Sequence, residues 1–155
     1  TTFLENARIK ARAAHELACA AVLADDSGLI VDALDGAPGV YSSRYSGVDG
    51  DDSANNAKLL RELSAVPLAK RTARFASVLV FIDEDGLETV AEGFVEGHIG
   101  LVERGEYGFG YDPLFFPDAY NGEVTMAELT QSQKNAISHR GNALRELRKK
   151  LHPSD

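Results

Sequence analysis

Apolar residues recur every three or four positions near the start of the chain, at Phe3, Ala7, Ala11, Ala14 and Leu17. This period predicts an amphipathic helix over residues 3–17. Thr2 and Glu5 stand three positions apart, as the two partners of a capping box do. The helix should therefore begin directly after Thr2.

A continuous apolar run follows over residues 18–24, and two acids and a glycine come soon after it. The run is too short for an independent helix and is typical of a strand buried on both faces. Asp25 and Asp26 are thus predicted at the carboxyl end of that strand, where α/β sheets bind ligands. Neighbouring strand residues point to opposite faces, so only one of these acids should face a substrate. Cys19, inside the run, is interpreted as a small buried packing residue.

Strand-type patterns continue downstream, over residues 29–34, 71–82 and 87–99. Asp85-Gly86 is a strong hairpin signal, so the last two strands should be antiparallel. A helix capped by Ser53 should run to about Leu63. Together these elements predict an α/β fold, with a mixed central sheet flanked by helices.

The last third of the chain changes character twice. Residues 104–122 are rich in glycine and aromatics, which predicts a loop with at most a short strand around residues 113–116. Ser138 is a candidate N-cap for a final helix. The buried stripe of that helix is predicted at Leu144, Leu147 and Leu151.

The 155 residues, 44% of them hydrophobic, predict one globular domain over residues 1–155. The net charge of −8 disfavours a broad nucleic-acid-binding surface, which needs clustered lysine and arginine. The chain has no apolar run long enough to span a membrane and a single cysteine. We therefore expect a soluble, cytoplasmic protein without nucleic-acid or membrane partners.

Three clusters could carry chemistry. Asp25-Asp26-Ser27-Gly28 offers two carboxylates, a hydroxyl and a flexible backbone, the groups that hold Mg²⁺, orient a water and approach a phosphate. From these residues alone, a capped turn is an equally good interpretation.

The second cluster is Phe109-Gly110-Tyr111-Asp112-Pro113. A flat base could stack on Phe109 while Asp112 meets its edge; the alternative is a hydrophobic plug over the core. The third cluster, Lys134 with His139 and Arg140, lies near the start of the last helix, where the helix dipole favours anions. A solvated charged face is the alternative there.

Five blocks, in this order and spacing, resemble the inosine/xanthosine triphosphate pyrophosphatase family over nearly the whole chain. The blocks are residues 2–7 with Lys10 and Ala11, then 24–29, 36–47, 108–113 and 138–141. The resemblance implies a two-lobed α/β fold with a substrate cleft. It also implies hydrolysis of dITP, ITP and XTP to the monophosphate and diphosphate, with Mg²⁺ as cofactor.

The resemblance also implies residue roles. Asp26 is implied as the catalytic acid that binds the metal or activates water, and Asp25 as its structural partner. Substrate contacts are implied at Ser27, Phe109, Gly110, Tyr111, Asp112, Lys134, His139 and Arg140. Donors from lysine or arginine at the 6-keto oxygen would leave the amino group of adenine unpaired.

Two further expectations concern the beginning of the domain and its assembly. The family's phosphate-binding Thr/Ser-x-Asn-x-x-Lys loop, its first strand and helix and a second acidic metal ligand would precede Thr1, so we expect the domain to lack them here. The capping box explains Glu5 without a metal. The resemblance further implies a homodimer, with residues 37–47 as a candidate interface.

Two other functions stay open at this point. An aspartyl-phosphate phosphatase of the haloacid-dehalogenase type would need two aspartates separated by one residue so that both face the site, whereas Asp25 and Asp26 adjoin. With it stands a related nucleotide pyrophosphatase of different base preference, so the first alternative is another phosphate-processing enzyme. The other function is a catalytically silent nucleotide-binding or dimerisation module.

Overall fold

The computed structural model describes residues 1–154, which form four α-helices and four strands. The helices are α1 (Phe3–Ala18), α2 (Asp52–Glu62), α3 (Gln131–Ile137) and α4 (His139–Leu151). The strands are β1 (Val22–Val31), β2 (Thr72–Ile82), β3 (Glu88–Ile99) and β4 (Phe115–Pro117). They form an antiparallel sheet in the order β1-β2-β3-β4. Helices beside the sheet confirm the predicted α/β class, but the described strands are antiparallel and do not form the predicted mixed sheet. None of the described helices is both long enough and apolar enough to cross a bilayer.

The described residues fall into two compact units. Unit 1 comprises residues 1–27, residues 76–94 and the chain from Ser138 onward. Unit 2 comprises residues 28–75 and 95–137.

Unit 1 is built from two helices that cover opposite faces of β2. One buried cluster consists of Ala7, Ala11, Val78, Val80 and Ile82. The other consists of Leu79, Ala91, Ala143 and Leu147. Because even- and odd-numbered residues of a strand point to opposite faces, α1 packs on one side of β2 and α4 on the other.

Strand β3 approaches α4 closely at Gly93. A Cβ atom at this position would overlap backbone atoms of His139 and Ala143. Only glycine fits such an approach of two backbones. The contact therefore sets where the first turn of α4 lies.

Unit 2 has a core of its own. Phe75 and Phe115 lie at its centre, with ring centroids 4.5 Å apart. Buried residues from α2, the strand ends and the later loops surround them, namely Leu29, Val31, Leu59, Leu63, Ala73, Val95, Ile99, Tyr111, Leu114, Met126 and Leu129. The aromatic-rich segment after β3 thus supplies much of this core.

Arg71 is a buried cation in unit 2. Its guanidinium donates to the carbonyl oxygens of Leu63, Val66 and Gly100 at 2.8 to 2.9 Å. A positive charge beside the last carbonyls of α2 is favoured by the helix dipole. Arg71 thus ties the end of this helix to the segment that follows β3, a role that the sequence analysis missed.

The region around Asp25 differs from the prediction. One ten-residue strand, β1, replaces the two strands predicted over residues 18–24 and 29–34. Asp25 and Asp26 therefore lie within a strand and not at its carboxyl end. Glycine and serine inside β1 do not interrupt it, because pairing with β2 satisfies the backbone regardless of side chain.

The interpretation of Cys19 as a buried packing residue was wrong. Helix α1 extends to Ala18, and Cys19 is its C-cap, in the left-handed conformation with φ 51°. The side chain is exposed. The apolar run was thus shared between a helix end and a strand, and its middle reaches solvent.

The helix caps are confirmed in two of three cases. Thr2 and Glu5 form the predicted capping box, and Ser138 caps α4 by accepting a hydrogen bond from the Gly141 amide. Helix α2 is instead capped by Asp51, whose carboxylate accepts from the Ala54 amide at 3.0 Å. A carboxylate two residues earlier outcompetes the Ser53 hydroxyl.

The end of the chain is also less buried than predicted. Leu147 is buried, but Leu144 and Leu151 are exposed. Ala143, which is fully buried, takes their place, because the contact at Gly93 brings α4 too close for a larger side chain. Helix α3 was not predicted; its seven residues carry no apolar period.

Candidate functional site

Asp26 presents its carboxylate to helix α1. Oδ1 accepts from the Lys10 Nζ at 3.0 Å, and Oδ2 accepts from the Asn6 Nδ2 at 3.2 Å. Lys10 also donates to the Asp25 carbonyl at 3.0 Å. Asn6 and Lys10 are four residues apart and share one face of the helix. Neither residue has a role in the predicted site, although this spacing could have indicated their common direction.

Asp25 points the other way, toward α4. Its Oδ2 accepts from the Arg140 guanidinium at 2.8 Å. The prediction that the two aspartates divide between the faces of the strand is thus confirmed. Asp26 belongs with α1, and Asp25 belongs with the start of α4.

Ser27 and His139 complete the candidate residues of unit 1. Both are half-buried. His139 and Arg140 form the first turn of α4, where the partial positive charge of the helix favours an anion. Unit 1 thus has Asp26 with Lys10 on one face of β1, and Asp25 with Arg140 and the N-terminus of α4 on the other.

In unit 2, Asp112 organises the glycine-rich loop. Its buried carboxylate accepts from the Phe109 amide at 3.1 Å and from the Lys134 Nζ at 2.5 Å. Gly108 has φ +80°, and a Cβ there would overlap this carboxylate. The loop therefore closes tightly around Asp112 only because residue 108 is glycine.

Phe109 is the accessible member of the same cluster and lies against the buried Lys134. The Phe109 side chain is 68% exposed, and the Lys134 Nζ lies 4.4 Å from its ring centroid. A cation at this distance is attracted to the face of the ring. The predicted grouping of Lys134 with His139 and Arg140 was wrong, because Lys134 pairs with Asp112 beside Phe109 in unit 2.

Gly110 is held by helix α2. Its amide donates to the Asp52 Oδ2 at 2.9 Å, and its carbonyl accepts from the Asn56 Nδ2 at 3.0 Å. Sequence reasoning missed both helix residues. Their four-residue spacing predicts a shared face, but no local signal names the loop that they contact.

Tyr111 points into the core of unit 2. Its hydroxyl donates to the Ser42 carbonyl at 2.6 Å. Burial, with smaller effects from Tyr45 and Asp52, raises the pKa of Tyr111 well above its usual range. The side chain is therefore a neutral anchor of the loop, and the implied substrate contact at Tyr111 remains a prediction.

The candidate residues consequently divide between the units. Unit 1 contains Asp26, Ser27, His139 and Arg140, and unit 2 contains Phe109, Gly110, Tyr111, Asp112 and Lys134.

The fit of a metal ion depends on Asp26. Within residues 1–154, no three side chains of His, Cys, Asp or Glu lie together as a metal-binding group. Asp25 and Asp26 also face apart, so the described residues offer one carboxylate on each side of β1. Mg²⁺ is commonly held by one or two carboxylates together with substrate phosphates and water, and one carboxylate fits that mode.

Unit 1 thus carries a strand carboxylate held by a lysine and an asparagine, and unit 2 carries a glycine-rich aromatic loop closed on a buried lysine–aspartate pair. The chain belongs to the Ham1 family, whose model matches residues 1–150, and the predicted family is confirmed.

Named relatives are similar along most of the chain. The dITP/XTP pyrophosphatase of Oceanobacillus iheyensis is 52% identical over 153 residues, covering 98% of this chain and 76% of that protein. The dITP/XTP pyrophosphatase of Nocardia farcinica is 56% identical over 149 residues, covering 94% and 70%.

Solved structures give the same picture. The Staphylococcus aureus Ham1 protein has a TM-score of 0.92 at 42% identity, covering 100% of this chain and 79% of that one. A Ham1 protein from Coxiella burnetii has a TM-score of 0.89 at 43% identity, covering 99% and 78%.

Proposed function

We propose that this protein hydrolyses the non-standard purine nucleoside triphosphates dITP, ITP and XTP to the monophosphate and diphosphate. The observation that carries the proposal is the half-buried Asp26 carboxylate, held between Lys10 and Asn6. The names of relatives 52 to 56% identical to this chain support the substrate class.

Asp26 is proposed to activate the attacking water. A hydrogen bond to each carboxylate oxygen fixes its orientation, and orientation is a large part of general-base catalysis. The water oxygen forms a new bond to one phosphorus atom of the α–β anhydride while Asp26 accepts its proton. The bond from that phosphorus to the bridging oxygen breaks, and the bridging oxygen leaves with the other phosphate group, giving the monophosphate and diphosphate. Lys10 places positive charge beside Asp26, where charge develops on phosphate oxygens. The phosphate contact proposed for Arg140 would lie at the start of α4, where Arg140 pairs with Asp25.

A divalent cation is part of this proposal, and we propose Mg²⁺. Asp26 would hold it together with oxygens of the triphosphate. When bound, it neutralises phosphate charge that a protein of net charge −8 would otherwise repel.

The residues of unit 2 are proposed to bind the purine. The ring of Phe109 offers a flat, exposed face for stacking. The ammonium of Lys134 has three protons, and one of them is engaged by Asp112. The remaining two can be donated to the 6-keto oxygen of hypoxanthine or xanthine. Adenine has an amino donor at its 6-position, so the amino group and the Lys134 ammonium would both be left without an acceptor.

The test is diphosphate release from dITP with Mg²⁺, comparing the wild type with Asp26→Asn. We expect turnover by the wild type and a loss on the order of 100-fold or more in the variant, as for removal of a general base. Asp25→Asn is the matched control, because it changes the neighbouring carboxylate on the opposite face of β1. Diphosphate release by this variant should fall less than about tenfold if Asp25 acts only by placing Arg140.

Three outcomes would overturn the proposal. Accumulation of phosphate in place of diphosphate contradicts the bond that is cleaved. Full activity of Asp26→Asn contradicts the role of that residue. Binding of dITP without any turnover favours a silent nucleotide-binding module.

The proposed assembly is a cytoplasmic homodimer. Tyr41 is exposed and lies in the segment 37–47 that we propose as the interface. Its ring is faced by the Arg44 guanidinium at 5.0 Å, and tyrosine and arginine are enriched in protein interfaces. Sedimentation should show a dimer at micromolar concentration; a monomer would contradict this part of the proposal.

A further inference from the structure

Gly110 has both of its main-chain polar groups bound by one helix. The Asp52 carboxylate accepts from its amide at 2.9 Å, and the Asn56 side chain donates to its carbonyl at 3.0 Å. Asp52 and Asn56 are four residues apart in α2, so they present their polar ends on one face. Two bonds from a single rigid element fix both the position and the orientation of Gly110.

Asn56 destabilises the fold through one of its polar atoms, so its hydrogen bond to Gly110 must be its main contribution. It is 3% exposed, and its Oδ1 is buried without a hydrogen-bond partner in the described part of the chain. An unpaired buried oxygen destabilises the fold, and an apolar side chain would avoid that cost. The amide therefore contributes chiefly through the bond from its Nδ2 to Gly110.

The neighbouring Asn55 shows that α2 holds two loops separately. Asn55 is also buried, but its Oδ1 accepts from the Ser46 amide at 2.7 Å and its Nδ2 donates to the Ser43 carbonyl at 3.0 Å. Adjacent asparagines thus diverge, one to residues 43–46 and one to the glycine-rich loop. This divergence supplies a matched control for any variant of Asn56.

We infer that Asp52 and Asn56 are positioning residues that hold the Phe109 ring ready for the purine, an inference that rests on the proposed function. Phe109 directly precedes Gly110, and its own amide is held by Asp112. Its ring is 68% exposed and is contacted by the Lys134 ammonium, so its direction depends strongly on the backbone at residues 109 and 110. Loosening Gly110 should weaken recognition of the base and leave binding of the phosphates unchanged.

The experiment is a double-mutant cycle between Asn56→Ala and Phe109→Ala, read by calorimetric binding of dIMP and of inorganic triphosphate. dIMP carries the base, and triphosphate carries phosphates alone. Asn56→Ala should weaken dIMP binding roughly fivefold, the effect of one lost hydrogen bond, with no change for triphosphate. In the Phe109→Ala background, Asn56→Ala should have no further effect, because it acts through that ring.

Two further variants separate positioning from general destabilisation. Asp52→Asn keeps an acceptor for the Gly110 amide and should retain dIMP affinity, whereas Asp52→Ala should lower it. Asn55→Ala removes two hydrogen bonds made by the same helix. Any effect of this variant on dIMP affinity should be the same in the wild-type and the Phe109→Ala backgrounds.

Additive effects of Asn56→Ala and Phe109→Ala, or an equal loss for triphosphate, would overturn the positioning role while leaving the proposed function intact. A wild type that neither binds dIMP nor releases diphosphate from dITP would overturn the proposed function, and this inference with it.

Discussion

Two lysine–aspartate pairs, one in each unit, differ mainly in their exposure. In unit 1 the Lys10 and Asp26 side chains are 55% and 18% exposed and 3.0 Å apart. In unit 2 the Lys134 and Asp112 side chains are 10% and 7% exposed and 2.5 Å apart. An exposed pair contributes little to stability and exchanges readily with a ligand. A buried pair contributes a scaffold, because removing one partner strands the other charge.

The largest effect is expected from breaking the buried pair. Lys134→Met should lower the free energy of unfolding by about 3 to 5 kcal/mol, because Asp112 is left as an uncompensated buried charge. Urea denaturation measures this difference. A loss below about 1 kcal/mol would show that the two pairs are energetically alike.

A smaller effect in unit 2 is expected from Tyr111→Phe. Losing the hydroxyl leaves the Ser42 carbonyl without this donor and should cost about 1 to 2 kcal/mol at neutral pH. Since the pKa of Tyr111 is raised from its ordinary 10.0, the wild-type advantage is complete below that pH and is lost as the pH rises through the folded-state pKa. Denaturation at pH 7 and above pH 10 tests both parts, and an advantage that grows with pH would contradict them.

Lys10→Met separates stability from activity in unit 1. Because the pair is exposed, the free energy of unfolding should change by less than about 1 kcal/mol. Diphosphate release from dITP should nevertheless fall on the order of 10- to 100-fold, as for loss of an oriented charge at the phosphate. Urea denaturation and a steady-state assay on the same preparation measure both quantities. A large loss of stability with normal turnover would contradict the prediction.

The smallest effect is expected for an exposed pair in unit 2, Arg104 and Glu128, which are 3.1 Å apart. The pKa of Glu128 is lowered, first by the Thr125 amide and then by Arg104. A depressed carboxyl pKa stabilises the protein above the ordinary value of 4.5, and this advantage is lost as the pH falls below it. Glu128→Gln should thus lower the melting temperature slightly at pH 7, and the difference should vanish in acid. A difference in melting temperature that persists in acid would show that Glu128 does not act through its charge, and would contradict this prediction.

Regular periodicity was enough to predict α1, β2, β3 and α4, because each has an apolar face that repeats at its own period. It failed at Cys19, where one apolar run served a helix end and a strand start. It also failed for Leu144, whose exposure depends on the contact at Gly93, a residue from a distant strand. Burial of this kind is decided by tertiary packing and not by local pattern.

The candidate site was predictable in its residue types but not in its contacts. Asp26, Phe109 and Lys134 were proposed as site residues from their chemistry and from the family resemblance. Lys10, which holds Asp26, and Asn56, which holds Gly110, were given no role, because each lies on a separate helix from the residue that it holds. The opposite directions of Asp25 and Asp26 did follow from the alternation of a strand, even though its boundaries were misplaced.

Gly93 has a consequence for how mutational data on this protein would be interpreted. It carries no functional group and lies in the middle of a strand, yet any side chain there would displace the start of α4, which presents His139 and Arg140. In a saturation-mutagenesis experiment scored by activity, this position should therefore appear as intolerant as Asp26. Intolerance at such a site would report on the geometry of a neighbouring backbone and not on chemistry.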